Sequence, residues 1–247
     1  MASNEKIRLR VKRYLPERGE EPFYSEYDVP YSDDMVVLDA LNYIKDNLDG
    51  SLSFRWSCRM GVCGSCGANV DGKPRLMCSR FLKESDGDSI LVEPLSHFRT
   101  IKDLVVEIDI FVEKLRSIKP WIIRKEEKPL EEGEYLQTPQ QRDLIKQTSM
   151  CINCMLCYEA CPVFGMDNEF IGPAASAISY RYAMDSRDEA QKERLNIITT
   201  RNGVWDCTYI GECSVVCPKS VDPALAIQKS KAMGGISIIK SLIRKKK

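Results

Sequence analysis

The sequence predicts an α+β protein, with a mixed sheet crossed by a helix in the first hundred residues and a mostly helical second half. Three observations predict it. Short runs of alternating polarity dominate the first half, broken by one segment of helical period. A charged, proline-bearing stretch interrupts the chain near residue 120. Beyond it, element starts take the form of a cap residue followed by proline.

The elements follow in order. "IRLRV" and "FYSEYDV" alternate in polarity around "PERGEEP", which predicts a hairpin. Val37, Leu41, Ile44 and Leu48 recur at helical spacing and stop at Asp49-Gly50. In "GANVDGKPRLMC", Asp71-Gly72 separates two short strand-like runs, a second hairpin. "SILVEPL" is one more strand. Leu104, Ile108, Phe111, Leu115 and Ile118 form an apolar stripe, predicting a helix. "KPWIIRKEEKPLEEGEYLQTP" carries three prolines, a glycine and many charges and reads as a connector. Thr138-Pro139, Gly172-Pro173 and Asp222-Pro223 each open a helix. The expected organisation is a first domain over 1–118, a connector over 119–137 and a helical domain over 138–247.

Composition narrows the function. Lysine plus arginine and aspartate plus glutamate both number 36 among the 247 residues, so the charge leaves no nucleic-acid footprint. Eleven cysteines are too many for an ordinary intracellular chain. A disulfide scaffold is disfavoured by the odd count, by the chain's size and by "MASNEKIRLR", which lacks an apolar signal core. No run of 18 apolar residues exists, so no membrane span is expected. Thiols used for metal in a reducing cytoplasm is the remaining reading.

"CRMGVCGSCGANVDGKPRLMC" spaces its cysteines as Cys58-x4-Cys63-x2-Cys66, with Cys78 following after eleven residues. That is the plant-type arrangement for a [2Fe–2S] cluster. Gly61, Gly64 and Gly67 are expected to let the loop fold tightly and aim backbone N–H groups at sulfur. Zinc is the competing reading, and it usually takes paired C-x2-C motifs instead. "CINCMLCYEACP", residues 151–162, has the spacing C-x2-C-x2-C-x3-C-P, and "CTYIGECSVVCP", residues 207–218, repeats it with Ile210 in the second cysteine's place. In such pairs the cysteine before proline reaches across to the other cluster. Cys151, Cys154, Cys157 and Cys217 would then hold a [4Fe–4S] cluster. Cys161, Cys207 and Cys213 would hold the other. Isoleucine cannot ligate iron, so three thiolates imply [3Fe–4S]. The three sets use all eleven cysteines and leave no thiol for nucleophilic catalysis.

Together, "RWSCRMGVCGSCG", "MCINCMLCYEACPVFG", "EFIGPAA", "DSRD" and "CTYIGECSVVCPKSVDP" resemble the iron–sulfur subunits of succinate dehydrogenase and fumarate reductase, the complex II family. The resemblance runs from about residue 5 to about residue 235. It implies an N-terminal β-grasp [2Fe–2S] ferredoxin domain and a C-terminal all-α ferredoxin domain with two cubane-type clusters. It implies a flavoprotein partner with covalent FAD and a membrane anchor that binds quinone. Electrons would pass between flavin and quinone through the three clusters, in the tricarboxylic acid cycle or in anaerobic respiration. The expected location is peripheral, on the cytoplasmic face of the cell membrane. The chain lacks a G-x-G-x-x-G fingerprint, so flavin and dicarboxylate chemistry fall to the partner.

Ubiquinone-linked members of the family carry a tryptophan shortly after the crossing-cysteine motif and a histidine just after the first [3Fe–4S] cysteine. Here Met166 (or Gly165) and Thr208 stand there, so the resemblance is to the menaquinol-linked fumarate reductase branch. Lys231, fourteen residues after Cys217, matches a lysine of that branch that hydrogen-bonds a quinone carbonyl. Thr208 and Lys231 are therefore expected at a quinone site, with menaquinone as the quinone. His97, the only histidine, is expected to be an ordinary surface or loop residue. In "ISIIKSLIRKKK", Ile236, Ile239, Leu242 and Ile243 can share a helical face, and the basic end can meet anionic lipid headgroups or stay solvated. Two other classes stay open at this level. One is a mobile polyferredoxin, against which the neutral charge and long helices count; the other is an iron–sulfur subunit of a different oxidoreductase.

Overall fold

In the computed structural model the chain divides into two compact units, Met1–Ile108 with Ile152–Ala160 and Asp109–Cys151 with Cys161–Lys247. The structure describes residues 6–19, 21–85, 87 and 89–244.

The first unit is built on a five-stranded mixed sheet. Strands β1 (Lys6–Arg13) and β2 (Phe23–Pro30) form the expected antiparallel hairpin. Helix α1 (Val37–Tyr43), continued by a wider turn over Ile44–Leu48, buries Val37, Leu38, Ala40, Leu41 and Ile44. Strands β3 (Gly67–Val70) and β4 (Lys73–Leu76) pair through Asp71-Gly72, both at positive φ (+51° and +72°), the twist a two-residue hairpin requires. Strand β5 (Ser89–Glu93) runs parallel to β1, giving the order β2-β1-β5-β3-β4. This is the β-grasp arrangement. Leu9, Val11, Val29, Ala68, Val70, Ile90 and Val92 are buried at alternate strand positions with the α1 residues. Each large apolar side chain so buried contributes about 1.5–3 kcal/mol.

The helix expected across Leu104–Ile118 is shorter than its stripe. Residues Thr100–Lys102 and Val105–Val106 form a small hairpin, β6 and β7, and α2 begins only at Asp109 and ends at Ser117. The cause is Asp103, fully buried and left-handed (φ +46°) at the hairpin turn. Its carboxylate accepts Arg13 Nε at 2.9 Å, Tyr14 N at 3.0 Å and Ser53 N at 2.8 Å, bonds that a helical backbone there would break. Leu104 and Ile118 are buried outside the helix.

The second unit is helical. Helix α3 (Pro139–Lys146) starts with a capping box in which Thr138 Oγ1 accepts Gln141 N at 3.2 Å and Gln141 Oε1 accepts Thr138 N at 2.9 Å. Helix α4 (Pro162–Met166) follows Cys161; α5 (Pro173–Ala183) and α7 (Pro223–Arg244) pack together, with α6 (Gln191–Ile198) beside them. The fully buried pair Arg194 and Asp188 ties the segment after α2 to α6. Arg194 Nη2 donates to Trp121 O at 2.6 Å and Lys119 O at 3.1 Å, and Asp188 Oδ2 accepts Ile123 N at 2.8 Å. On α7, Ile236, Ile239 and Ile243 are exposed. The side chains of Lys240, Leu242 and Arg244 and the whole of 245–247, part of the expected lipid-facing tail, lie outside the described residues.

Candidate metal centres

None of the eleven cysteines, all of them among the described residues, is in a disulfide. In the first unit, Arg59, Gly61 and Gly64 are left-handed (φ +59°, +67° and +76°), which curls the loop around its sulfurs. Met60 N, Val62 N and Cys63 N point at Cys58 Sγ at 3.4, 3.4 and 3.3 Å, and Cys58 N points at Cys63 Sγ at 3.5 Å. Such convergent N–H groups favour negative charge on sulfur. Hydrogen bonding from Ser65 and from backbone N–H groups lowers the Cys63 thiol to about 6. Burial pushes Cys66 up to about 12, with Cys78 and Cys63 close enough to add to it. Cys58 and Cys63 thus lie within hydrogen-bonding reach of each other and Cys66 feels the charge of Cys63 and Cys78, and a bound iron would remove the burial penalty by taking each thiol as thiolate. The residues fit the group. Gly67 departs from the expected role: it lies in β3, and its lack of a side chain admits Cys154 O, which an added Cβ would meet at 3.0 Å.

The two later copies fold alike. Each begins with a 3-10 turn, Thr148–Met150 or Val204–Asp206, and ends in a one-turn helix, Leu156–Glu159 or Glu212–Val215. Between them the same two motif positions are left-handed, Asn153 and Met155 (φ +55° and +65°) and Tyr209 and Gly211 (φ +63° and +90°). Backbone and sequence repeat together. The difference is at the second cysteine position, where Cys154 is 9% exposed and Ile210 is 59% exposed.

Within the second unit, Cys161, Cys207 and Cys213 act on one another electrostatically. Burial raises Cys213 to about 11, and the proximity of Cys161 and Cys207 pushes the same way; Cys161 is raised by burial and by Cys207. Phe164 N points at Cys161 Sγ at 3.5 Å. Cys151 and Cys217 pack against one apolar cluster of Ala177, Tyr180, Val221 and Ala226. Cys154 and Cys157 lie on Ile152–Ala160, which packs with the first unit. Lys231 Nζ donates to Cys207 O at 2.8 Å, next to the exposed Thr208.

The sequence reading missed a group around Glu159. This buried carboxylate, inside the "CYEACP" motif, accepts Asn69 Nδ2 at 2.7 Å and Ser96 Oγ at 2.6 Å on Oε1, and His97 N at 2.9 Å on Oε2. His97 is half-buried, with Nδ1 3.0 Å from Tyr158 O; a carbonyl only accepts, so Nδ1 carries the proton. The only available signal was a carboxylate inside a cysteine motif; its partners lie 62 to 90 residues away.

Comparison with known proteins finds iron–sulfur domains in both halves of the chain. Residues 8–113 match the family model of a 2Fe-2S iron-sulfur cluster binding domain, and residues 147–221 match that of a 4Fe-4S dicluster domain. A fumarate reductase iron-sulfur subunit of Mycobacterium tuberculosis is 50% identical over 239 residues, covering 97% of each chain. The subunit of the same description from Escherichia coli O6:H1 is 49% identical over 231 residues, covering 94% of each. A mitochondrial succinate dehydrogenase (ubiquinone) iron-sulfur subunit 3 of Arabidopsis thaliana is 38% identical over 232 residues, 92% of this chain and 74% of that one. Among solved structures, a chain of the Mycobacterium smegmatis Sdh1 complex in the apo form superposes with TM-score 0.83 at 26% identity, covering 94% of this chain and 96% of that one.

Proposed function

The chain belongs to the family of fumarate reductase and succinate dehydrogenase iron–sulfur subunits, and on that premise we propose that it holds three clusters between a flavin-bearing partner and a membrane quinone. Electron transfer within an oxidoreductase complex, through [2Fe–2S] and [4Fe–4S] domains, is the role that membership gives it. When bound, such clusters supply the one-electron chemistry that side chains lack.

The chain's own residues bind and shield. Cys58, Cys63, Cys66 and Cys78 hold the first cluster, with the N–H groups of Met60, Val62 and Cys63 stabilising charge at Cys58. Cys151, Cys154, Cys157 and Cys217 hold the [4Fe–4S] cluster, and Cys161, Cys207 and Cys213 a [3Fe–4S] cluster. One observation carries this reading: the second motif keeps the left-handed positions of the first and, of its four cysteine positions, changes only 210.

The quinone is placed beside the Cys207 loop, with Thr208 and Lys231 facing it, and is menaquinone. The Lys231 ammonium, held at Cys207 O, supports that placement, because a fixed cation stabilises charge developing on a quinone oxygen. No helix among the described residues is long and apolar enough to cross a membrane. By likeness to its relatives, the chain is assigned to the cytoplasmic face of the cell membrane, between an FAD flavoprotein and a quinone-binding anchor. The basic tail adds contact with anionic lipid.

The test is quinone-linked turnover of the intact complex with menaquinone and ubiquinone analogues, in wild type and Lys231→Leu. A preference for menaquinone is expected, with the variant's quinone-linked rate about 10²-fold lower, the effect of removing one charge-stabilising donor. A preference for ubiquinone, or normal quinone kinetics in the variant, would overturn the quinone assignment. A chain that purifies alone and reduces soluble partners would point to a mobile carrier instead.

A further inference from the structure

Glu159 is a buried acid with no catalytic work to do. A carboxylate withdrawn from water must be compensated by hydrogen bonds, and here Oε1 accepts from Asn69 and Ser96 while Oε2 accepts the His97 N–H. The donors come from β3 and from the turn after β5. His97 adds a bond from Nδ1–H to Tyr158 O, and the Phe98 and Tyr158 rings sit 6.3 Å apart. The one-turn helix Leu156–Glu159 is too short to be stable alone. It is held at its last residue by the first unit.

A second observation points the same way from the opposite end of the segment. An added Cβ on Gly64 would lie 2.5 Å from Ile152 O and 3.1 Å from Cys154 Cα, and Gly64 is left-handed as well. Only glycine lets the Cys58–Cys66 loop approach the Cys154 backbone so closely.

We propose that Glu159 is a positioning residue for the second cluster. Through Asn69, Ser96 and His97 it fixes the helix bearing Cys157, while Gly64 and Gly67 seat Cys154, so one folded unit sets the spacing of the first two cysteine loops. The inference rests on the assignment of Cys154 and Cys157 to the [4Fe–4S] cluster made above.

The assembled complex tests it with Ser96→Ala, Asn69→Ala, Glu159→Gln and Gly64→Ala. Two readouts separate positioning from general stability. One is the rate at which each cluster loses iron to bathophenanthroline. The other is the magnetic coupling between the reduced [2Fe–2S] and [4Fe–4S] clusters in electron paramagnetic resonance. Ser96→Ala and Asn69→Ala are expected to speed loss of the [4Fe–4S] cluster about tenfold, the effect of one lost bond to a buried charge. The [2Fe–2S] cluster should be lost at the wild-type rate, and Ser96→Thr should restore normal behaviour. Glu159→Gln, which turns an amide N–H₂ toward donors, should act more strongly. Gly64→Ala should change the coupling. Wild-type loss and coupling in folded Ser96→Ala and Asn69→Ala, or equal acceleration at all clusters, would overturn the proposal. A wild-type complex with no [4Fe–4S] signal would instead overturn the ligand assignment beneath it.

Discussion

Arg13 occupies a β1 position where the strand's alternation calls for an apolar side chain, and it is 2% exposed. Its guanidinium bonds Asp103 at 2.9 Å, Asp49 at 2.5 Å, Tyr27 Oη at 2.6 Å and Ser51 Oγ at 2.9 Å, so four of its five N–H groups are matched, two of them by carboxylates. Burial alone would raise the Asp49 carboxyl, but hydrogen bonds from Ser51, Tyr27 and Arg13 hold it well below the usual aspartate range. A depressed folded pKa contributes stability above the unfolded value of about 3.9 and loses it as pH falls further. Asp49→Asn should therefore unfold more readily than wild type at pH 7, with the gap closing below about pH 4; urea titrations over pH check this. The Arg194–Asp188 pair has both side chains at 0% exposure. Asp188→Ala, which strands the arginine, should cost about 3–5 kcal/mol in thermal or urea unfolding. Neither network was legible beforehand, because an arginine reads as a surface residue until its distant partners are known. The cysteines were legible because their spacing is local.

Among elements, the hairpins and capped helices followed from local chemistry. Asp71-Gly72 supplies the two left-handed residues its turn needs, and Thr138 supplies a cap. Thr138→Ala should cost about 1 kcal/mol of stability, read by urea titration. The β6–β7 hairpin escaped the reading because Leu104 and Ile118 keep helical spacing while both are buried for other reasons. What decides there is the tertiary demand of Asp103, which no periodicity reports. Close approaches are also invisible to patterning. A Cβ on Gly203 would fall 2.1 Å from Ile198 O, so Gly203→Ala must displace the turn that leads into Cys207. That variant is expected to lose at least about 1–3 kcal/mol and to perturb the third cluster's spectrum more than the first's.

At the scale of the whole molecule, the motif repeat and the count of eleven cysteines carried the functional reading, since both survive without knowledge of packing. The packing of Ile152–Ala160 with the first unit, although its cysteines belong to the second motif, depends on contacts from Gly64, Asn69 and His97. Membrane association belongs here too. Deleting 244–247 should weaken retention of the complex on anionic vesicles, by about 1 kcal/mol for each basic residue removed, most visibly at low salt. Unchanged retention across a salt series would leave the tail no such role. The residue at position 210 decides how many irons the third centre can hold. Low-temperature electron paramagnetic resonance of the oxidised complex, in wild type and Ile210→Cys, tests it most directly. A [3Fe–4S] signal is expected in wild type, and in the variant its loss with gain of one iron and a lower potential. A wild-type complex without that signal, or a folded Ile210→Cys complex that keeps it unchanged, would contradict the account.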